Sequence, residues 1–234
     1  MTPEPRLDVS APRGPVNAVA LVLHGGRSKS TQPVTARQLT VLRMRPFATA
    51  LRKAGAADGL AVARLRYAIR GWNGELRSPL ADARWALAQL AERFPGVPVA
   101  IVGHSMGGRT GLYVADHDNV RAVVALAPWI EPGDPVAQLT GRQVLIAHGV
   151  DDRMTSPANS EAYAERASAV AESVGYIGVA DEAHSMMKRA AIWHDLACGF
   201  VLGVLYDKSP EESVRPDATN VLAQALAGRR SLVV

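Results

Sequence analysis

Pro98-Val99-Ala100-Ile101-Val102-Gly103-His104-Ser105-Met106-Gly107-Gly108 joins a short apolar run to Gly-x-Ser-x-Gly, and a helix-like segment follows. In the order strand, sharp turn, helix, this pattern puts a serine on a tight, strained turn with its hydroxyl clear of its neighbours. Gly103 and Gly107 must lack a Cβ because backbone passes close to them, and Gly108 lets the helix pack on the strand. The helix N-terminus then lies beneath Ser105, where free N–H groups and the helix dipole favour a developing negative charge.

The same alternation extends in both directions. Upstream, Val16 to Leu23 is a continuous apolar run, as expected of a strand buried on both faces, and it stops at His24-Gly25-Gly26. A helical pattern follows from Leu39, with a second helix expected to start at Pro46, and Leu60 to Tyr67 reads as the next strand. Ser78-Pro79 opens a helix as cap and first residue. Downstream, strands are expected at Val120 to Ala127, Gln143 to Ala147 and Ser173 to Val179. Ser156-Pro157 repeats the helix start, and a long helix runs from about Ser185 to Leu205. Alternating strands and helices predict an α/β fold: a mostly parallel sheet with helices on both faces. The expected division is an N-terminal segment over 1–16, a main domain over 17–205, and a tail over 206–234, helical around Thr219 to Leu226.

Composition excludes several classes. The 48% hydrophobic and 21% charged content fits a globular chain, and no apolar run approaches the roughly 18 residues of a membrane span. Met1 to Ser10 carries prolines and acids where a signal peptide needs a basic and then an apolar block, so a cytoplasmic protein without a membrane partner is expected. Of the 26 basic residues 22 are arginine, and the net charge is +4. They form tight groups only at Arg64/Arg66/Arg70, Arg43/Arg45 and Arg229-Arg230, with no aromatic-interleaved stripe, so a nucleic-acid partner is not expected. The lone Cys198 excludes an internal disulfide, and no His-x-x-x-His spacing suggests a metal.

In such sheets ligands bind at the carboxyl ends of the strands. Gly26, Ser105, Asp152 and His184 each follow a strand. A serine hydroxyl needs a base to take its proton and an acid to hold that base. His184 fits the base. Asp151 and Asp152, in the turn after the Val144 strand, are both candidates for the acid, and spacing does not separate them. Two N–H groups must meet the oxyanion. Met106, following the serine, supplies one, and the His24-Gly25-Gly26-Arg27 loop is the natural source of the other. Trp72, Trp129 and Met154 either line an apolar acyl pocket or plug the core. Arg27 and Arg70 either meet an anionic substrate or simply face solvent. His24 and His148 read as turn-holding residues, and His104 as pointing away from substrate.

Four motifs, His24-Gly25-Gly26, Gly103 to Gly108, His148-Gly149-Val150-Asp151-Asp152 and Asp181-Glu182-Ala183-His184-Ser185, together resemble an α/β-hydrolase over about residues 16–205. The resemblance selects Asp152 through its His-Gly-x-x-Asp pattern, and it puts the oxyanion donors at Gly26 and Met106. It implies a cofactor-free serine hydrolase with Ser105, His184 and Asp152 as triad, acting on a small-molecule ester or thioester. A carboxylesterase is the leading expectation. Thioesterase, amidase or peptidase, lactone hydrolase and a non-catalytic binding protein are the alternatives, and oligomeric state is left open. Two departures stand out. The stretch between Ala127 and Val144 is too short for a cap domain, which implies an open site. The family's N-terminal strands are hard to find in residues 1–16, which implies a smaller sheet.

Overall fold

The computed structural model describes residues 3–210, 215–227, 229 and 232–234. In chain order the elements are β1 (Arg6–Ser10), β2 (Ala18–Leu23), α1 (Leu39–Ala54), β3 (Leu60–Arg66), α2 (Ser78–Arg93), β4 (Val99–His104) and α3 (Met106–Tyr113). They continue with β5 (Val120–Leu126), β6 (Gln143–Gly149), α4 (Pro157–Ala167), β7 (Ser173–Val179), α5 (Ala190–Tyr206), α6 (Pro216–Leu226) and β8 (Leu232–Val233). The strands form one sheet in the order β1-β3-β2-β4-β5-β6-β7-β8. Every neighbouring pair is parallel except β1 with β3.

Burial on both faces follows from strand chemistry. Successive side chains of a strand point to opposite faces. In β2, Val19, Leu21 and Leu23 enter one core, packed against Ala83, Leu87 and Leu90 of α2 and Tyr163 of α4. Ala18, Ala20 and Val22 enter the other, against Phe47 and Leu51 of α1 and Trp193 and Phe200 of α5. A strand with water on one face would alternate in polarity; β2 is apolar throughout because it has no wet face. Among the described residues, no helix is long and apolar enough to cross a membrane.

Several expectations are corrected. The sheet has eight strands rather than a reduced set, because residues 6–10 supply an antiparallel edge and the tail supplies β8 beside β7. Pro46 does not start a helix; α1 runs through it. Pro46 lies on the exposed side, where water can replace the backbone bond its missing N–H gives up. Helix α2 begins at Ser78 itself, after Arg77 in the left-handed region at φ 44°. Helix α5 starts at Ala190, later than expected. Between β5 and β6 the only regular element is a three-residue 3₁₀ turn, Ala137–Leu139, and no cap domain is inserted there.

Candidate active site

Ser105 caps α3 at φ 55°, ψ −120°, a conformation that side-chain-bearing residues rarely adopt. Its surroundings enforce it. The Ser105 N–H donates to the Leu126 carbonyl at 3.0 Å, and its own carbonyl accepts from the N–H groups of Arg109 and Trp129 at 3.1 and 3.2 Å. A Cβ on Gly103 would strike the Gly107 carbonyl, and a Cβ on Gly107 would strike the backbone of Leu23 and His24. Only this close crossing of strand, helix and first loop lifts the hydroxyl above the sheet.

The structure brings Ser105, His184 and Asp152 together from the ends of β4, β7 and β6. Ser105 Oγ lies 3.1 Å from His184 Nε2, and His184 Nδ1 lies 2.8 Å from Asp152 Oδ2. The Asp152 side chain is fully buried, whereas His184 keeps 13% of its side-chain surface exposed. Asp151 is exposed and stands outside this arrangement. Asp152 Oδ1 accepts the N–H groups of Met154 and Thr155 at 2.8 and 3.1 Å. Its Oδ2 also takes the Thr155 hydroxyl at 2.8 Å and the ring Nε2 of buried His148 at 3.1 Å. Burial alone would raise the Asp152 pKa. The hydrogen bonds from His148, His184 and the two backbone N–H groups outweigh it and hold the carboxyl well below the usual range.

His148 and Thr155 are the partners of this carboxylate that sequence reasoning missed. His148 had been read as holding its turn. A Ser160 hydroxyl lies 2.8 Å from its Nδ1. A hydroxyl donated there leaves the Nε2 proton facing Asp152. The Asp152-x-x-Thr155 spacing of a side-chain-capped turn was the available signal. His104 points away from the cleft, as expected, but it is not idle. Its Nε2–H donates to the His184 carbonyl at 3.0 Å, and the two rings lie 4.8 Å apart. Burial, with His184 beside it, lowers the His104 pKa to about 3, so the ring is neutral. His24 is likewise neutral, lowered to about 4 by burial, and its Nδ1–H bonds the Gly25 carbonyl at 2.6 Å, shaping the first loop.

That loop lies against the serine. An ideal Cβ on Gly25 would sit 3.3 Å from Ser105 Cβ, and one on Gly26 would collide with the Met106 side chain and the Arg70 carbonyl. The Arg27 N–H is already taken by the Arg70 carbonyl at 2.8 Å. Among the described residues no acceptor engages the N–H of Gly26 or Met106. An open cleft of about 500 Å³ surrounds Ser105 and His184. Arg27, Met106, Trp129 and Met154 are among the residues that line it. Trp72 is not. It is 4% exposed and packs edge-on to Trp129 with ring centroids 6.1 Å apart, because it follows β3 into the core behind the cleft wall. No group of three His, Cys, Asp or Glu among the described residues could hold a metal ion.

Against this geometry, the family described as Serine aminopeptidase, S33 matches residues 14–143, more than half of the 234. The chain belongs to this family. The S33 match includes Gly26 and Ser105 and stops before Asp152 and His184. Solved structures agree in fold. A serine hydrolase without a lid from Xanthomonas campestris superposes with TM-score 0.58 at 15% identity, covering 82% of this chain and 86% of that one. Est1E from Butyrivibrio proteoclasticus, with ferulic acid bound, gives 0.62 at 14%, covering 86% and 95%. A Paleococcus ferrophilus monoacylglycerol lipase gives 0.60 at 14%, covering 87% and 100%. At these identities the likeness is one of fold. Comparison with curated proteins by sequence returns no significant match. The S33 chain is an α/β serine hydrolase by family and fold, without a cap domain.

Proposed function

We propose that this hydrolase cleaves a carboxylic ester by acyl transfer through Ser105. The observation that carries the reading is the unbroken run of hydrogen bonds from Ser105 Oγ through the His184 ring to buried Asp152. Ser105 Oγ attacks the ester carbonyl while His184 Nε2 takes its proton. Asp152 holds the Nδ1–H tautomer and stabilises the imidazolium. In this reading the free N–H groups of Gly26 and Met106 receive the oxyanion. His184 returns the proton to the leaving alcohol, which departs and leaves an acyl-Ser105. Water then gives a proton to His184 and its oxygen to the acyl carbon; as the bond to Ser105 Oγ breaks, His184 returns that proton to the serine and the acid is released.

The cleft chemistry favours an ester over the aminopeptide of the family's description. Recognition of a substrate α-ammonium group calls for a carboxylate, and the residues lining this cleft include Arg27 and Lys29 but no acid. The leading expectation from sequence, a carboxylesterase, therefore stands as the proposal. A fluorophosphonate probe should label wild-type protein and not Ser105→Ala. The same substitution should cut hydrolysis of 4-nitrophenyl valerate by about a thousandfold or more. Labelling that persists in Ser105→Ala, or no label and no turnover in the wild type, rejects the reading.

A further inference from the structure

The cleft lining combines cations with apolar groups. Arg27, Ser28 and Lys29, directly after Gly26, line it together with Trp129 and Met154. A second depression of about 240 Å³ adjoins the first. It shares Gly26 and Arg27 with the cleft and adds Arg70, with the polar Gln38 and Thr40. Arg27 thus lines both hollows, with Lys29 lining the first and Arg70 the second.

These cations are held on a fixed frame. Arg27 and Gly71 form a parallel bridge. The Arg27 N–H bonds the Arg70 carbonyl at 2.8 Å, and the N–H groups of Trp72 and Asn73 bond the carbonyls of Arg27 and Ser28, both at 2.9 Å. Asn73, left-handed at φ 64°, receives the Ser30 N–H on its side chain at 2.9 Å. The loop bearing Arg27 is therefore bolted to the segment bearing Arg70. Neither hollow is lined by a carboxylate. Among the described residues, no ion pair involves Arg27, Lys29 or Arg70. Arg70 Nη1 is met only by the neutral Gln32 amide oxygen at 2.9 Å. Asp152 is fully buried under His184, and Glu131 accepts the Trp129 ring N–H at 2.7 Å.

We propose that the cleft selects esters that carry an anionic group, a carboxylate or a phosphate, with Arg27 and Arg70 as its principal partners and Lys29 in support. The apolar part of the same substrate lies against Trp129 and Met154. The inference deepens the Ser105 hydrolase reading and rests on it. Three cations without an ion-pair partner, lining the cleft and its neighbouring hollow, make a positive field that favours an anionic substrate over a neutral one. Exposed guanidinium groups stay hydrated, so each contact is modest, but two or three acting together give about a tenfold preference.

The test compares mono-4-nitrophenyl glutarate, which is anionic, with neutral 4-nitrophenyl valerate. The kcat/KM ratio should favour the glutarate by about tenfold at low ionic strength and shrink in about 0.5 M salt. Arg27→Gln and Arg70→Gln should each lower that ratio, the double variant should bring it close to one, and Arg27→Lys should retain most of it. A ratio, unlike a rate, is not moved by general damage to the fold. Competition against valerate hydrolysis by glutarate and by glycerol phosphate tells carboxylate from phosphate, and it should weaken in the double variant. A wild-type ratio near one, or a preference and a competition that the double variant leaves intact, overturns the inference while labelled Ser105 and valerate turnover uphold the hydrolase. No label and no turnover of either ester removes the hydrolase reading, and the inference with it.

Discussion

At the scale of single residues, the site is organised around one oxygen. Asp152 Oδ2 meets His184 Nδ1, His148 Nε2 and the Thr155 hydroxyl within 3.1 Å. Asp152→Asn keeps the shape but offers His184 an amide that can donate, which favours the wrong ring tautomer. The expected loss in kcat is about 10³- to 10⁴-fold on 4-nitrophenyl valerate, with near-ultraviolet circular dichroism unchanged. His148→Ala removes one charge-assisted hydrogen bond from the same carboxylate, and its expected loss is smaller, on the order of tenfold. An unaltered rate in His148→Ala would show that the second imidazole plays no part in holding Asp152. Ser105 and His184 could be singled out in the sequence because each follows an apolar strand, and strand ends converge in a parallel sheet; strand position did not separate Asp152 from Asp151, and only the family resemblance chose between them. His148 and Thr155 were not legible, because what they do depends on which atoms meet once the turn closes. Trp72 was left open between cleft and core for the same reason. A tryptophan just past a strand can face the cleft or the core, and the choice is made by Tyr113 and Arg109 packed against its ring.

At the scale of elements, the question is what ties the short helix α3 to the loop that carries Trp129. Every residue of α3 is buried, Arg109 included. The Arg109 guanidinium lies between Trp72 and Trp129, 4.3 and 4.6 Å from their ring centroids, and Nη2 meets Asp134 Oδ1 at 2.6 Å. Tyr113 donates to the same carboxylate at 2.7 Å, and the Glu131 N–H donates to its other oxygen at 3.0 Å. Breaking a buried pair by removing one member leaves the other charged in a dry site. Asp134→Ala should therefore lose about 3–5 kcal/mol of stability in urea denaturation, with a change in tryptophan emission as Trp129 comes loose. A loss below about 1 kcal/mol would mean that the pair is not what joins loop to helix. None of this was visible in the sequence, because Arg109 and Asp134 are separated by 25 residues and nothing local marks either as buried. The elements themselves were largely legible, since an apolar run that stops at glycine announces a buried strand. Strand β8 was not: two residues carry no periodicity, and Leu232 and Val233 form a strand only because β7 offers them an edge.

At the scale of the whole molecule, placing two neutral imidazoles at the carboxyl end of the sheet sets the response to acid. His24 and His104 are buried, with pKa values lowered to about 4 and about 3 in the fold. In the unfolded chain each takes its proton near the ordinary value of about 6.5. Between those limits the unfolded state binds more protons than the native one, so stability falls as pH falls. The slope is about 1.4 kcal/mol per pH unit for each histidine, beginning near pH 6.5 and ending as each passes its folded value. Asp152 acts in the next window down. Its folded pKa is depressed, so its contribution is complete above the unfolded carboxylate value of about 3.9 and is lost only below it. Urea unfolding followed from pH 7 to pH 4 should therefore show stability draining well before the carboxylates titrate. His104→Gln and His24→Gln should each flatten that slope, whatever they do to stability at pH 7, because an amide has no proton to gain. A wild-type curve flat from pH 7 to pH 4.5 would contradict both buried neutral rings, since their protonation on unfolding admits no other sign.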